Sequence, residues 1–193
     1  MILFPYRAQI RLHKWPVLTI AISLLCLAIY FAQAKSESRA EAYTDTFCTQ
    51  ADNGQPVADF TWRNKKFSCE QVMWHTYYYP DPVTHVEWHV RDMEKYGQAE
   101  EASRYRELAT AYLAHAPTLL TAKLWQERDV FSPWRMLTSS VAHGSWEHVI
   151  FNLIFFFAFA AAVELVLGPV LFMAAFVLLA LSVGMGSSSQ WLT

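Results

Sequence analysis

The sequence predicts an all-α membrane protein in which apolar spans bracket a polar insert. Three observations carry that reading. First, 54% of the 193 residues are hydrophobic and only 17% charged, a balance that excludes intrinsic disorder. Second, the charges are unevenly placed: residues 35–132 hold 15 acids and 11 bases, and both flanks are nearly uncharged. Third, the flanks contain uncharged runs of the length that a bilayer demands. The net charge of −2 and the lack of a basic patch give no footprint for nucleic acid.

Residues 1–14 carry Arg7, Arg11 and Lys14 and no acid. Residues 15–34 follow as 20 positions without a charge (WPVLTIAISLLCLAIYFAQA). At 1.5 Å per residue they cover roughly 30 Å, the thickness of the hydrocarbon core. A basic segment, an apolar stretch and Ala32-Gln33-Ala34 also fit a cleaved secretory signal, so two readings stand at this point. Both hold the N-terminus in the cytoplasm and translocate the chain from residue 35 onward.

The insert, residues 35–132, divides in two. As far as Pro82 helix signals are few. Asn53-Gly54 marks a turn, and the aromatic stretch 74–79 stops at Pro80-Asp81-Pro82, so irregular chain with short strands is expected. From Thr84 to Ala114, Val86, Val90, Met93, Tyr105, Leu108 and Tyr112 recur at helical spacing, with a break expected at Gly97. Pro117, Leu119 and Leu120 lead into a further amphipathic turn. Cys48 and Cys69 both lie in the translocated insert, where an oxidising compartment permits a disulfide. Cys26, within the first span, reads as a packed apolar residue. His85 and His89 stand four apart with Glu87 between them and His75 upstream. The His-x-Glu-x-His order is not a metalloprotease pattern, so these residues are expected on a solvent-exposed helix, with no metal and no cofactor. Trp74, Tyr77, Tyr78, Tyr79 and Trp88 suit either a small core or a belt at the membrane interface.

The last segment is apolar. Two spans are expected at 147–167 and 169–186, joined by Gly168-Pro169, a helix stop and restart. Ala174, Ala175, Ser182, Gly184 and Gly186 are small enough for close helix packing. Polar residues in such spans are costly and mark candidate sites. His148 and Asn152, at i and i+4, share one face; His143 precedes them; Glu164 falls roughly 24 Å further along, near the inner interface, where its charge would reach water. The His148 and Asn152 side chains could donate to a developing oxyanion, bind a carbonyl or anion without chemistry, or simply satisfy neighbours in the bundle.

The ordered set Trp134-Arg135, Leu137-Thr138-Ser139, His143, His148-Val-Ile-Phe-Asn152 and Val163-Glu164 with Gly168 resembles the rhomboid family of intramembrane serine proteases. The resemblance covers about 132–186 and the first span. It implies a rhomboid-like helical bundle, represented by its first three transmembrane helices, with 1–14 cytoplasmic, a retained helix at 15–34, a long external loop at 35–132, and the rhomboid domain starting at 133. It implies oxyanion stabilisation by His148 and Asn152, a supporting role for His143, and structural roles for Trp134, Arg135 and Glu164. Membrane lipid and transmembrane protein substrates are the implied partners, and a bacterial inner membrane with residues 35–132 in the periplasm the implied location. The family's nucleophile stands in Gly-x-Ser-Gly and its base on a later span, and neither occurs in this sequence. By family spacing the serine is expected shortly past Thr193, with Ser187, Ser188 and Ser189 in the loop leading to it and the chain inactive by itself. The alternatives are a non-catalytic rhomboid-like protein that binds transmembrane clients, and an insert released by cleavage after Ala34.

Overall fold

The computed structural model describes residues 15–50, 54–63, 65–79, 81–125 and 132–188, the side chains of 184–188 excepted. The basic segment 1–14 and Ser189 lie outside the described residues. Among the described residues, eight helices and one small hairpin follow in order. They are α1 (Val17–Gln50), β1 (Phe60–Trp62), β2 (Lys65–Phe67), α2 (Cys69–Tyr77), α3 (Pro82–Lys95), α4 (Ala99–His115), α5 (Leu120–Leu124), α6 (Pro133–Ser139), α7 (Trp146–Leu167) and α8 (Pro169–Ser188).

The helix of the first span does not stop at Ala34. α1 is 34 residues long, roughly 50 Å, so its second half stands beyond the hydrocarbon and belongs to the insert. The reason is a single buried stripe: Thr19, Ile22, Cys26, Tyr30, Gln33, Ala40, Thr44 and Cys48. These recur every three, four or seven residues, as one helix face requires. The stripe is made largely of small or polar residues, so hydrophobicity alone does not reveal it beyond Ala34.

The chain between α1 and Pro82 is also more ordered than expected. β1 and β2 pair antiparallel, Phe60 opposite Phe67 and Trp62 opposite Lys65, with Arg63 at φ 47° in the turn. α2 then starts on a capping box. Ser68 Oγ accepts from the Gln71 amide at 3.3 Å, and Gln71 Oε1 accepts from the Ser68 amide at 3.0 Å, satisfying two of the donors a helix start leaves open. Asp81 caps α3 through the Thr84 amide, and Pro82 occupies the first turn. Gly97, at φ +76°, separates α3 from α4.

These pieces close around one core of Ala40, Phe60, Met73, Val90, Tyr105 and Tyr112. Two of its buried tyrosines keep their hydroxyls satisfied, Tyr112 by Thr44 and Tyr105 by Thr76, each at 2.7 Å. Of the aromatic stretch, Tyr77 is buried in this core, while Tyr79 and Trp88 are exposed. Cys48 and Cys69 form a disulfide between the end of α1 and the start of α2, with Cα atoms 5.7 Å apart. It spans 21 residues, which makes it worth about 3 kcal/mol on the chain-entropy account. Thiol labelling of unreduced protein should therefore miss both cysteines, and reduction should lower the melting midpoint of the insert. Full labelling at both positions before reduction contradicts this.

The apolar half is α1, α7 and α8. α1 and α7 are long and apolar enough to cross a membrane, and α8 is apolar from Pro169 to Val183. Gly168, at φ +79°, ends α7 and Pro169 opens α8, the left-handed stop and proline start that the sequence signals. The three helices meet at Ile22, Cys26, Ala160 and Phe172. Phe151, Phe155, Phe159 and Val166 point outward, as lipid-facing residues do. α8 continues through Ser187 and Ser188, which are thus helical rather than part of a loop.

Candidate active site

Four anchors position the polar residues at the N-terminal end of α7. Ser145 caps the helix, its Oγ accepting from the His148 amide at 3.2 Å. Trp146 packs edge-on against Tyr30 and Phe31 of α1, with ring centroids 4.6 and 5.0 Å away. Thr138 Oγ1 donates to the Leu124 carbonyl at 2.9 Å, tying α6 to the end of α5. The fourth anchor is Gln33, completely buried in α1. Its Oε1 accepts from the His143 amide at 3.3 Å, and its Nε2 donates to Thr121 Oγ1 at 3.1 Å. One side chain thus ties α1 to α5 of the insert and to the loop that enters α7. In the sequence Gln33 stands inside Ala32-Gln33-Ala34, a stretch that resembles a cleavage site. A lone amide in an apolar run was the signal, by the same cost argument that singled out His148.

His143 is buried, and its Nδ1 lies 3.1 Å from the Val141 carbonyl oxygen. Its ring stands edge-on to His148 at 5.5 Å between centroids. Asn152 is one turn below His148. His143 and Asn152 both line a cavity of about 240 Å³ between α1, α7 and α8, whose other walls include Ile22, Cys26, Phe156 and Phe176. His148 is not among its lining residues. Among the described residues, neither the His148 ring nor the Asn152 amide makes a hydrogen bond, so both keep donors available on one face. Trp134 and Arg135 sit on α6, where Ser132 caps the Arg135 amide at 3.4 Å and the Trp134 side chain is exposed.

Glu164 is placed differently from the expectation. It is buried, only 5% exposed. Its Oε1 accepts from the Leu18 amide at 2.9 Å, and its Oε2 accepts from the Thr19 amide and hydroxyl, each at 2.8 Å. Leu18 and Thr19 are the second and third residues of α1, where helix N–H groups have no partner of their own. The carboxylate caps a helix remote in sequence, and the positive end of that helix dipole replaces the water its charge would otherwise need. This contact also sets α1 and α7 antiparallel.

The histidines of the insert depart from expectation as well. His89 is buried rather than solvent-exposed, and His85 is half-buried. α2 brings His75 against them, so one ring nitrogen from each of the three lies within 4.8 Å of the others.

A helical protein with bilayer-length apolar helices and an uncompensated polar face inside them is an integral membrane protein. Residues 131–192, about a third of the chain, match the Rhomboid domain family model. No curated protein and no solved structure matches the chain.

Proposed function

We propose that this chain forms the oxyanion-binding side of a rhomboid-type intramembrane serine endopeptidase that cleaves transmembrane substrates. The observation that carries the reading is the pair of unengaged donors on one face of α7, within the segment that matches the rhomboid domain. In the reaction a serine hydroxyl, deprotonated by a histidine, attacks the scissile carbonyl. The family's dyad supplies both groups, and these 193 residues contain no Gly-x-Ser-Gly. The carbonyl oxygen becomes an oxyanion, and the His148 ring N–H and the Asn152 amide N–H donate to it. Such donors accelerate the step because they are fixed before charge develops. His143, held by Gln33, buttresses the His148 ring and closes the cavity beside Asn152. Trp134, Arg135 and Glu164 hold α6 and α7 in place.

The topology belongs to the same proposal: residues 1–14 in the cytoplasm, α1 crossing outward, the insert in the periplasm of a bacterial inner membrane, and α7 re-entering from outside. A serine-directed fluorophosphonate probe and a transmembrane substrate in proteoliposomes test the reading. A chain that carries these residues together with the family's serine and histidine should label and cleave, and residues 1–193 by themselves should do neither. A full-length protein that binds transmembrane clients but neither labels nor cleaves would replace the protease by a client-binding relative.

A further inference from the structure

We infer that the insert binds one divalent transition-metal ion, zinc by donor preference, through His75, His85 and His89, with a fourth coordination position left open. The geometry comes first. The three donor nitrogens lie within 4.8 Å of one another. Tetrahedral zinc, with Zn–N near 2.0–2.1 Å, needs them roughly 3.3 Å apart, so ring movements of about 1 Å close the set. The ring centroids already stand 4.5 Å (His85–His89), 5.4 Å (His75–His85) and 6.0 Å (His75–His89) apart. Three imidazoles on one tetrahedral ion would place them about 5 Å apart.

The second observation is independent. His85 Nε2 is buried and has no hydrogen-bond partner. A buried nitrogen without a partner is costly and calls for an explanation such as an ion. The His85 ring is oriented by its stack on Tyr79, at 3.5 Å between centroids. His89 is held edge-on by Trp62 at 4.7 Å and by Trp88 at 4.9 Å. A cluster that served only as packing would leave this nitrogen unpaired. Burial, followed by the neighbouring imidazoles, holds His85 and His89 down to about 4, so both are neutral ligands at pH 7.

Access and chemistry follow from the surroundings. His75 is exposed and gives the ion a way in. His75 and His89 also border a cavity of about 320 Å³ walled by Phe60, Trp62, Phe67 and Met93. All-imidazole donation suits zinc, copper, nickel or iron rather than calcium or magnesium. Three protein ligands with an open position are the arrangement of zinc sites that take water or a ligand, whereas structural sites use four. Among the described residues no fourth ligand joins the cluster.

The test uses the 193-residue chain in detergent, stripped with a chelator and titrated with Zn²⁺ against a chromophoric competitor. One equivalent should bind with Kd on the order of 10⁻⁷ M or tighter. Co²⁺ should give the strong visible bands of four-coordinate cobalt. His75→Gln, chosen because this side chain is exposed, should weaken binding by about 100-fold or more and abolish the zinc-dependent rise in Tm. His115→Ala, an exposed histidine at the end of α4, should change neither. No binding below about 10⁻⁵ M by a chain that melts cooperatively overturns the proposal, as does binding that His75→Gln leaves intact. Neither readout depends on proteolysis, so the site stands or falls separately from the protease reading.

Discussion

In a full-length protein, His148→Ala lowers kcat for a transmembrane substrate by about 10²–10³ and leaves KM nearly unchanged. The reason lies in when the bond forms. The imidazole N–H has nothing to donate to in the resting site, and the carbonyl of the bound substrate carries little charge. Only the tetrahedral intermediate brings a full oxyanion into reach, so the lost interaction belongs to the transition state and appears in kcat. Asn152→Ala should show the same signature. Because both donors act on one oxygen, the double variant should lose less than the product of the two single losses. Wild-type turnover by His148→Ala would remove that residue from the oxyanion site. A loss confined to KM would assign it to substrate binding instead.

Glu164→Ala is expected to destabilise the membrane half by about 3 kcal/mol or more, at roughly 1–3 kcal/mol for each buried donor left unsatisfied. Three donors lose their acceptor together: the Leu18 and Thr19 amides and the Thr19 hydroxyl. No neighbouring carbonyl can replace the carboxylate, because the first N–H groups of a helix have no carbonyl behind them. Glu164→Gln keeps one acceptor oxygen and turns an amide donor toward the others, so its loss should be intermediate. Thr19→Val removes a single donor with its bond and should cost least. Thermal melts in detergent, followed by the fluorescence of Trp146 against α1, check the order Ala, Gln, Val. A Glu164→Ala protein that melts with the wild type would show that the cap contributes nothing.

The legible parts of the fold share a property. α3, α4, α7 and α8 announce themselves through apolar periodicity or through a proline or glycine at an end: Pro82, Gly97, Gly168 and Pro169. What the sequence reading missed was written in other residue types. The continuation of α1 to Gln50 rests on Ala40, Thr44 and Cys48, too small or too polar to register as an apolar face. α2 was signalled by Ser68 and Gln71, a capping box that the neighbouring aromatic stretch obscured. For the site, the order and spacing of His143, His148, Asn152 and Glu164 could be read directly. The partners of those residues could not, because Gln33 and Thr19 are 110 and 145 positions away in the chain.

The sequence by itself determined that this is an α-helical membrane protein with a polar insert, and that its C-terminal third carries a rhomboid pattern. Composition and local spacing suffice for that, since bilayer thickness and helical rise are fixed lengths. Tertiary structure alone decided three things: that the insert grows out of the first span as one helix, that Glu164 is buried as the cap of α1 rather than exposed at the interface, and that His75 joins His85 and His89. Each depends on which surfaces meet across long stretches of chain. Only packing, which chooses the partner that satisfies a buried polar group, supplies that information.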